Sequence, residues 1–452
     1  MTIFAYLVWL PVSLLIFKFS PRQYGPWICL LGGWVLLPPA VYPMPLSDGF
    51  PFWITGGSLP SNVLINKAWV APLATCAASL LFDGRRWWHT SFNVWDALIV
   101  GFCLWPIVQD GLIGNASPNG WVSSLYLAGS WALPWWLGRL YLRSREDVTG
   151  FALAFAGVIL LLLPFAIVEG IGAMRVHTLL LGEHPFAADG VERYLGYRPQ
   201  GLFEHGNQYG LWCGAAAVAA IWLVRQGKLA PGLAAILVAM TVASQSAGAI
   251  GLLILGAIAL IWGGSFALVY RFGIWALLFA VIAAGLLVAG LIPLREIVEQ
   301  TGAGQALLDA IRSTGRGSFA WRVSQDLKAA PLLREHLLMG HGQWDWFLPL
   351  NSRPWDFPLL VIGQFGLIGL GLLVLPMMRA VGSALGQAAS GNEAAKLAGL
   401  LIVIAGIDAA LNSFLLWPFI VLASPFAIGT GKQPGYTTST AERPDPSAEP
   451  AI

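Results

Sequence analysis

From end to end the chain carries apolar windows of roughly 17 to 25 residues, the length a helix needs to cross about 30 Å of hydrocarbon. Such runs constrain folding more than any motif, because backbone polar groups in lipid find no water. Only a helix or a closed barrel satisfies them there. The windows fall at 3–19, 26–42, 63–82, 94–112, 121–141, 149–172, 207–224, 230–245, 248–264, 272–293, 357–377, 397–413 and 415–430. Composition agrees, with 57% hydrophobic and only 11% charged residues, well outside the range of soluble domains. The expected fold class is therefore all-α: a polytopic integral membrane helical bundle of about 12–13 transmembrane helices.

Lys and Arg gather in alternate short loops: Lys18 and Arg22, Arg85 and Arg86, Arg143 and Arg145, Arg225 and Lys228, Arg271, then Arg379 and Lys396. The positive-inside rule makes these loops cytoplasmic. It leaves the N-terminus outside, the C-terminus inside, and two long loops, 173–206 and 294–356, facing outward. Loops of that length in a compact helical protein usually carry function. The expected organisation is N-terminal helices over 1–172, the first outer loop over 173–206, central helices over 207–293 and a large outer loop with short helices over 294–356. C-terminal helices over 357–430 and a disordered cytoplasmic tail over 431–452 complete it. That tail is rich in Pro, Ser, Thr and Glu and has no apolar period. The first apolar run lacks the charged flank and cleavage site of a signal peptide and is read as a helix.

The formal net charge of +2 gives no reason to expect a nucleic-acid partner. The four cysteines, Cys29, Cys76, Cys103 and Cys213, each sit in an apolar run without paired spacing, so they read as small packing residues. Asp96, Asp110, Lys67, Glu169 and Asp408 lie in or at the ends of apolar runs. Helix ends and snorkelling account for them, with Lys67 and Asp408 looking deepest.

His177, His184, His205, His336 and His341 all lie in the two outer loops. Loops are where polar residues are tolerated, so spacing carries more weight than count. In the first loop Arg198 precedes Gly201, and Glu204, His205 and Asn207 follow just before a helix. Two readings stand. One is a glycine turn and a helix entry capped by Asn207 or Gln208. The other is an anion site in which Arg198 and the helix N-terminus meet a phosphate. The second loop holds Arg312, Arg316, Arg322, Lys328 and Arg334, then Gly340, His341 and Gly342, then Asn351 and Arg353. Residues 318–330 have helical pattern, with Arg322 and Asp326 spaced for a surface ion pair. Trp344, Trp346, Phe347, Trp355 and Phe357 nearby read as an interfacial belt.

Three segments together resemble the O-antigen ligase and O-antigen polymerase superfamily of bacterial membrane glycosyltransferases. They are "RPQGLFEHGNQYG" (Arg198 to Gly210), "SQSAGAIGLL" (Ser244 to Leu253), and the stretch from Arg322 through "GHG" to "GQFGLIGLGLL" (Gly363 to Leu373). Ala247 stands where that superfamily usually has an arginine, and its His-rich segment ending in Asn is reduced here to Asn351 with Arg353. The resemblance implies transfer of a glycan from a polyprenyl diphosphate, such as undecaprenyl diphosphate, to an acceptor hydroxyl at the periplasmic face of the inner membrane. The setting would be O-antigen, lipopolysaccharide or exopolysaccharide biosynthesis. Arg198 is the first choice for the diphosphate, then Arg322, with Arg316 or Arg353 replacing the arginine missing at Ala247. His341, Glu204 and His205 are the candidate bases. Gly201, Asn207, Gly340 and Gly342 are the structural motif positions. Neither bound metal nor other cofactor is implied. The implied partners are the lipid-linked glycan, an acceptor glycan or lipid, the bilayer and a chain-length regulator. The competing class is a transporter or flippase for a lipid-linked glycan, whose binding groups sit near mid-bilayer on broken helices.

Overall fold

The computed structural model describes residues 2–39, 65–114, 119–182, 192–193, 196–261, 300–302, 304–306, 309, 328–329, 331–350, 354–410, 412 and 414–429. The described structure is mostly helical. Helices occupy every expected apolar window except 272–293, which lies outside the described residues together with the tail 431–452. In order they are α1 (Thr2–Phe19), α2 (Gly25–Leu36), α3 (Lys67–Trp88), α4 (Val94–Ile113), α5 (Gly120–Leu127), α6 (Leu133–Tyr141), α7 (Arg145–Leu160) and α8 (Leu163–Gly172). After them come the short α9 (Val176–Leu181), α10 (Gly206–Arg225), α11 (Pro231–Ala243), α12 (Ala247–Ile261), α13 (Phe357–Ala389), α14 (Glu393–Ala409) and α15 (Trp417–Ile428).

Three helical stretches are long and apolar enough to cross a membrane: Val94–Ile113, Arg145–Gly172 and Phe357–Ala389. At 1.5 Å per residue, a helix of 20 residues spans about 30 Å. The helices α2, α11, α12 and α15 are shorter.

Several boundaries differ from expectation. The run expected to end at 82 continues to Trp88, so Arg85 and Arg86 lie inside α3 and not in a loop. The run expected at 121–141 is interrupted by a π segment, Ala128–Ala132. The run expected at 149–172 starts at Arg145, under a capping box of Ser144 and Asp147, and is divided before Leu163, where Pro164 opens α8. The run expected to end at 377 continues to Ala389, so Arg379 lies inside α13 and not in a loop. The first long loop, 173–206, holds α9 and an antiparallel pair, β1 (Glu192–Arg193) with β2 (Gly196–Tyr197).

Tryptophan fills the centre of the bundle. Trp34, Trp212 and Trp417 are fully buried, with Trp34 stacked on Trp212 at 5.7 Å and edge-on to Trp417 at 4.6 Å. A buried indole still needs an acceptor. Trp212 donates to the Leu415 carbonyl and Trp417 to that of Ser130. Small residues let the helices close: a Cβ on Gly138 of α6 would lie 2.2 Å from the Val421 carbonyl oxygen of α15. Lipid tails are as apolar as the helices, so such contacts do more for association in a bilayer than apolar burial does.

The helix ends sort into two groups. At one end Arg145 donates to Gln226 Oε1, Gln226 to Glu393 Oε2, and Trp222 to the Glu393 carbonyl. At the other, Tyr126 donates to Asn66 Oδ1 and packs edge-on against Trp344, while Lys67 meets Glu204. The latter end carries the motifs of both long loops.

Candidate functional site

The loop entering α10 is built around buried carboxylates. Glu169, near the end of α8, is 2% exposed and accepts three backbone N–H groups, those of Val176, Gln200 and Gly201, at 3.0, 2.7 and 2.7 Å. These three bonds tie the chain on either side of Arg198 back to α8. Gly201 stands at φ +60, a left-handed turn that favours glycine. Gln200 then donates to the carbonyls of Phe203 and Glu204.

Glu204 pairs with Lys67 at 2.9 Å, both side chains wholly enclosed. The ammonium also donates to the Leu202 carbonyl at 2.9 Å and lies 5.0 and 5.4 Å from the rings of Trp34 and Phe203. Lys67 is the first residue of α3, capped by Asn66, and not a residue deep in a span. Asp408 likewise sits at the end of α14, where it accepts from Asn412. Two further acids lie at helix ends and are buried there, not snorkelling: Glu169 in the last turn of α8, and Asp96 in the first turn of α4, which Arg139 meets at 2.7 Å and Trp135 at 2.8 Å.

Arg198 is buried at 3% exposure. Its guanidinium lies flat against Gly206, where a Cβ would come within 2.0 Å of Nε, and its Nη2 donates to Asn207 Oδ1 at 3.2 Å. Asn207 does not cap the helix as expected. His205 is the N-cap, its Nδ1 accepting from the Asn207 N–H at 3.0 Å, while its ring stacks on Phe414. A ring nitrogen that accepts is unprotonated, so His205 is the neutral Nε2–H tautomer here.

The turn after α11 packs directly against this entry. A Cβ on Gly210 would lie 2.5 Å from Ser244 Oγ, and Gln245 holds a left-handed backbone at φ +53 while donating to the Gly196 carbonyl at 3.3 Å. A side-chain-bearing residue in that region is uncommon and marks local strain. The first two sequence segments thus form one cluster.

The third forms a second cluster. Helix α13 is broken at Gly366 (φ 69, ψ −176), which frees backbone groups. The chain from 337 to 342 fills the break. His341 and Gly342 N–H groups donate to the carbonyls of Gly363 and Gln364 at 2.8 and 3.0 Å, and Leu367 N–H donates to that of Leu337 at 2.9 Å. Gly340 and Gly342 have φ of +74 and +70, and a Cβ on Gly340 would lie 2.5 Å from Gly366 N. Gln109 of α4 donates to the carbonyls of Met339 and Gln364, and Trp105 to that of Phe365.

His341 Nε2 donates to the Leu332 carbonyl at 3.1 Å, because a carbonyl only accepts, which leaves Nδ1 as the basic atom. The ring stacks on Trp346 at 5.6 Å and meets the exposed His336 edge-on at 4.7 Å. Burial pushes the His341 imidazole below its usual value, and His336 adds to the shift while the Leu332 contact opposes it. Trp344 and Trp346 are buried, at 3% and 2%, so they are packing residues and not an interfacial belt. Asp345 beside them is held above the usual carboxylate range by burial.

Arg198, Gly206 and Asn207 are in mutual contact, and Gly340, His341 and Gly342 are in a second contact set. A series of contacts through Trp344, Tyr126, Asn66 and the Lys67–Glu204 pair runs between the two sets. Arg316, Arg322 and Arg353 lie outside the described residues. Among the described residues no cluster of three His, Cys, Asp or Glu side chains is placed to hold a metal. Sequence reasoning missed Gly206, Gln109 and Arg139, and the partners of Lys67 and Glu169. Gln109, Arg139, Lys67 and Glu169 gave only the signal of an ionisable or amide side chain in or next to an apolar run, and Gly206 only that of a glycine before one. No family model, curated protein or solved structure matches this chain.

Proposed function

We propose that this chain is a multi-pass glycosyltransferase of the bacterial inner membrane, with its N-terminus periplasmic and its C-terminus cytoplasmic. It moves a glycan from a polyprenyl diphosphate to an acceptor hydroxyl in cell-surface polysaccharide synthesis. The observation that carries this reading is Arg198 laid against Gly206 at the N-terminus of α10. A permanently charged fork beside a helix N-terminus suits a diphosphate. Because Arg198 is buried, the lipid-linked donor enters between helices and exchanges for the Asn207 contact.

In the transfer, the acceptor oxygen forms a bond to the sugar C1 as the C1–O bond to the diphosphate breaks. The electron pair leaves with the polyprenyl diphosphate, whose growing charge Arg198 stabilises. The acceptor proton passes to a base. Lys67 occupies Glu204 and the Asn207 N–H occupies His205 Nδ1, whereas His341 keeps Nδ1 for that proton.

One observation favours a transporter or flippase instead: α13 is broken at Gly366, and discontinuous helices form binding sites in transporters. Purified protein in liposomes, given lipid-linked donor and acceptor, separates the two. Release of free polyprenyl diphosphate supports the transferase. Movement of intact donor across the bilayer without cleavage supports the transporter.

A further inference from the structure

At the end opposite Arg198, an open cavity of ≈ 410 Å³ is lined by Pro21, Arg22, Gln23, Arg86, Tyr141 and Asp147. The guanidinium of Arg86 is fixed: Nε pairs with Asp83 at 2.9 Å, Nη1 donates to the Leu140 carbonyl at 3.2 Å, and the group lies 5.1 Å from the Tyr141 ring. Those contacts leave Nη2. Arg22 is exposed and makes no hydrogen bond or ion pair with a described residue. In the same lining, Asp147 Oδ2 accepts the N–H groups of Arg143 and Ser144 at 3.0 and 2.9 Å, which leaves Oδ1.

The lining of the cavity therefore offers two guanidinium groups and a carboxylate oxygen. We propose that it binds the phosphoethanolamine headgroup of a membrane phospholipid, phosphate on Arg22 and Arg86 and ammonium on Asp147. A purely anionic headgroup would meet the Asp147 charge, and a quaternary ammonium has no N–H to donate to it. Exposed apolar side chains flank the lining along the chain: Phe19, two residues before Pro21, and Phe82, four residues before Arg86 across the kink at Asp83, are 74% and 39% exposed. Basic pockets between helices are a recognised form of lipid site. The soluble headgroup has the same polar chemistry but lacks the chains that Phe19 and Phe82 would meet.

The test is native mass spectrometry of the full-length protein, released from micelles containing equal amounts of phosphatidylethanolamine, phosphatidylglycerol and phosphatidylcholine. The wild type retains phosphatidylethanolamine at least several-fold over the other two. Arg22→Gln, which removes a side chain without partners in the described fold, lowers that retention several-fold, as does Arg22→Gln with Arg86→Gln. Arg225→Gln, at the same end but outside the cavity, leaves it unchanged. Equal retention of the three lipids, preference for phosphatidylglycerol, or undiminished retention by Arg22→Gln overturns the proposal. Displacement of the lipid by millimolar soluble phosphoethanolamine, with equal stabilisation, assigns the cavity to a soluble ligand and overturns the lipid assignment.

Discussion

Lys67 and Glu204 meet at 2.9 Å with neither side chain open to solvent, joining the start of α3 to the loop that carries Arg198. Each ion is expensive to bury alone, so the pair acts as a latch whose halves depend on each other. Glu204→Gln leaves a buried ammonium short of its counter-charge and should destabilise the fold by about 3–5 kcal/mol. Lys67→Met with Glu204→Leu should recover most of that loss. Thermal unfolding of the detergent-solubilised variants checks both, and a double variant no better than Glu204→Gln would refute the latch.

Gly206 is the one position where the smallest change reaches Arg198 and little else. An Ala Cβ would lie 2.0 Å from Arg198 Nε, closer than real Cβ contacts allow. Gly206→Ala should expel the guanidinium from the α10 N-terminus and lower donor turnover by about 10²-fold, as loss of an oxyanion donor does. Its melting temperature should stay near that of the wild type, since alanine favours helix over glycine. Unimpaired turnover would detach Arg198 from the chemistry.

His341 gives the pH dependence. Its folded value lies below the ordinary 6.5, so the neutral base persists through pH 7. Turnover should hold as pH falls to about 6.5 and drop only below it, and His341→Gln should abolish that acid limb along with most activity. The stability effect has the same sign. The unfolded imidazole takes up a proton first, so the contribution of His341 is full above 6.5 and is lost as pH falls through the folded value. An acid limb that survives in His341→Gln would assign the base elsewhere.

Gln109 holds the broken part of α13 by donating to the carbonyls of both Met339 and Gln364. Gln109→Leu takes its donor from the Met339 carbonyl and leaves that of Gln364 with the Gly342 N–H alone, at a cost of about 1–3 kcal/mol. Amide exchange at His341 and Gly342 should accelerate relative to the centre of α10. Equal protection in variant and wild type would show that the glycine turn closes without Gln109.

The helices were legible because lipid-length apolar runs leave the backbone one economical solution, and α1, α4 and α10 begin and end close to where those runs do. Breaks were less legible. Gly366 looks like other helical glycines in sequence, and only the arrival of residues 337–342 makes a break there tolerable, since it supplies the missing hydrogen bonds. Arg198 and Asn207 were recognisable as a group because they are close along the chain. Lys67 with Glu204, and Asp96 with Arg139, were not, because side chains distant in sequence meet only through helix packing. His205 took the cap from Asn207 because Asn207 is turned toward Arg198.

Arg198 is the point on which the transferase account rests. Arg198→Ala, expressed in cells that lack the native protein, should insert at the native level and leave polyprenyl-linked glycans uncut. Mass spectrometry of those lipids then decides the matter. Accumulated single repeat units identify a polymerase, and accumulated long carrier-linked chains identify a ligase. A carrier-linked pool in Arg198→Ala cells identical to that of cells carrying the wild type would contradict the account.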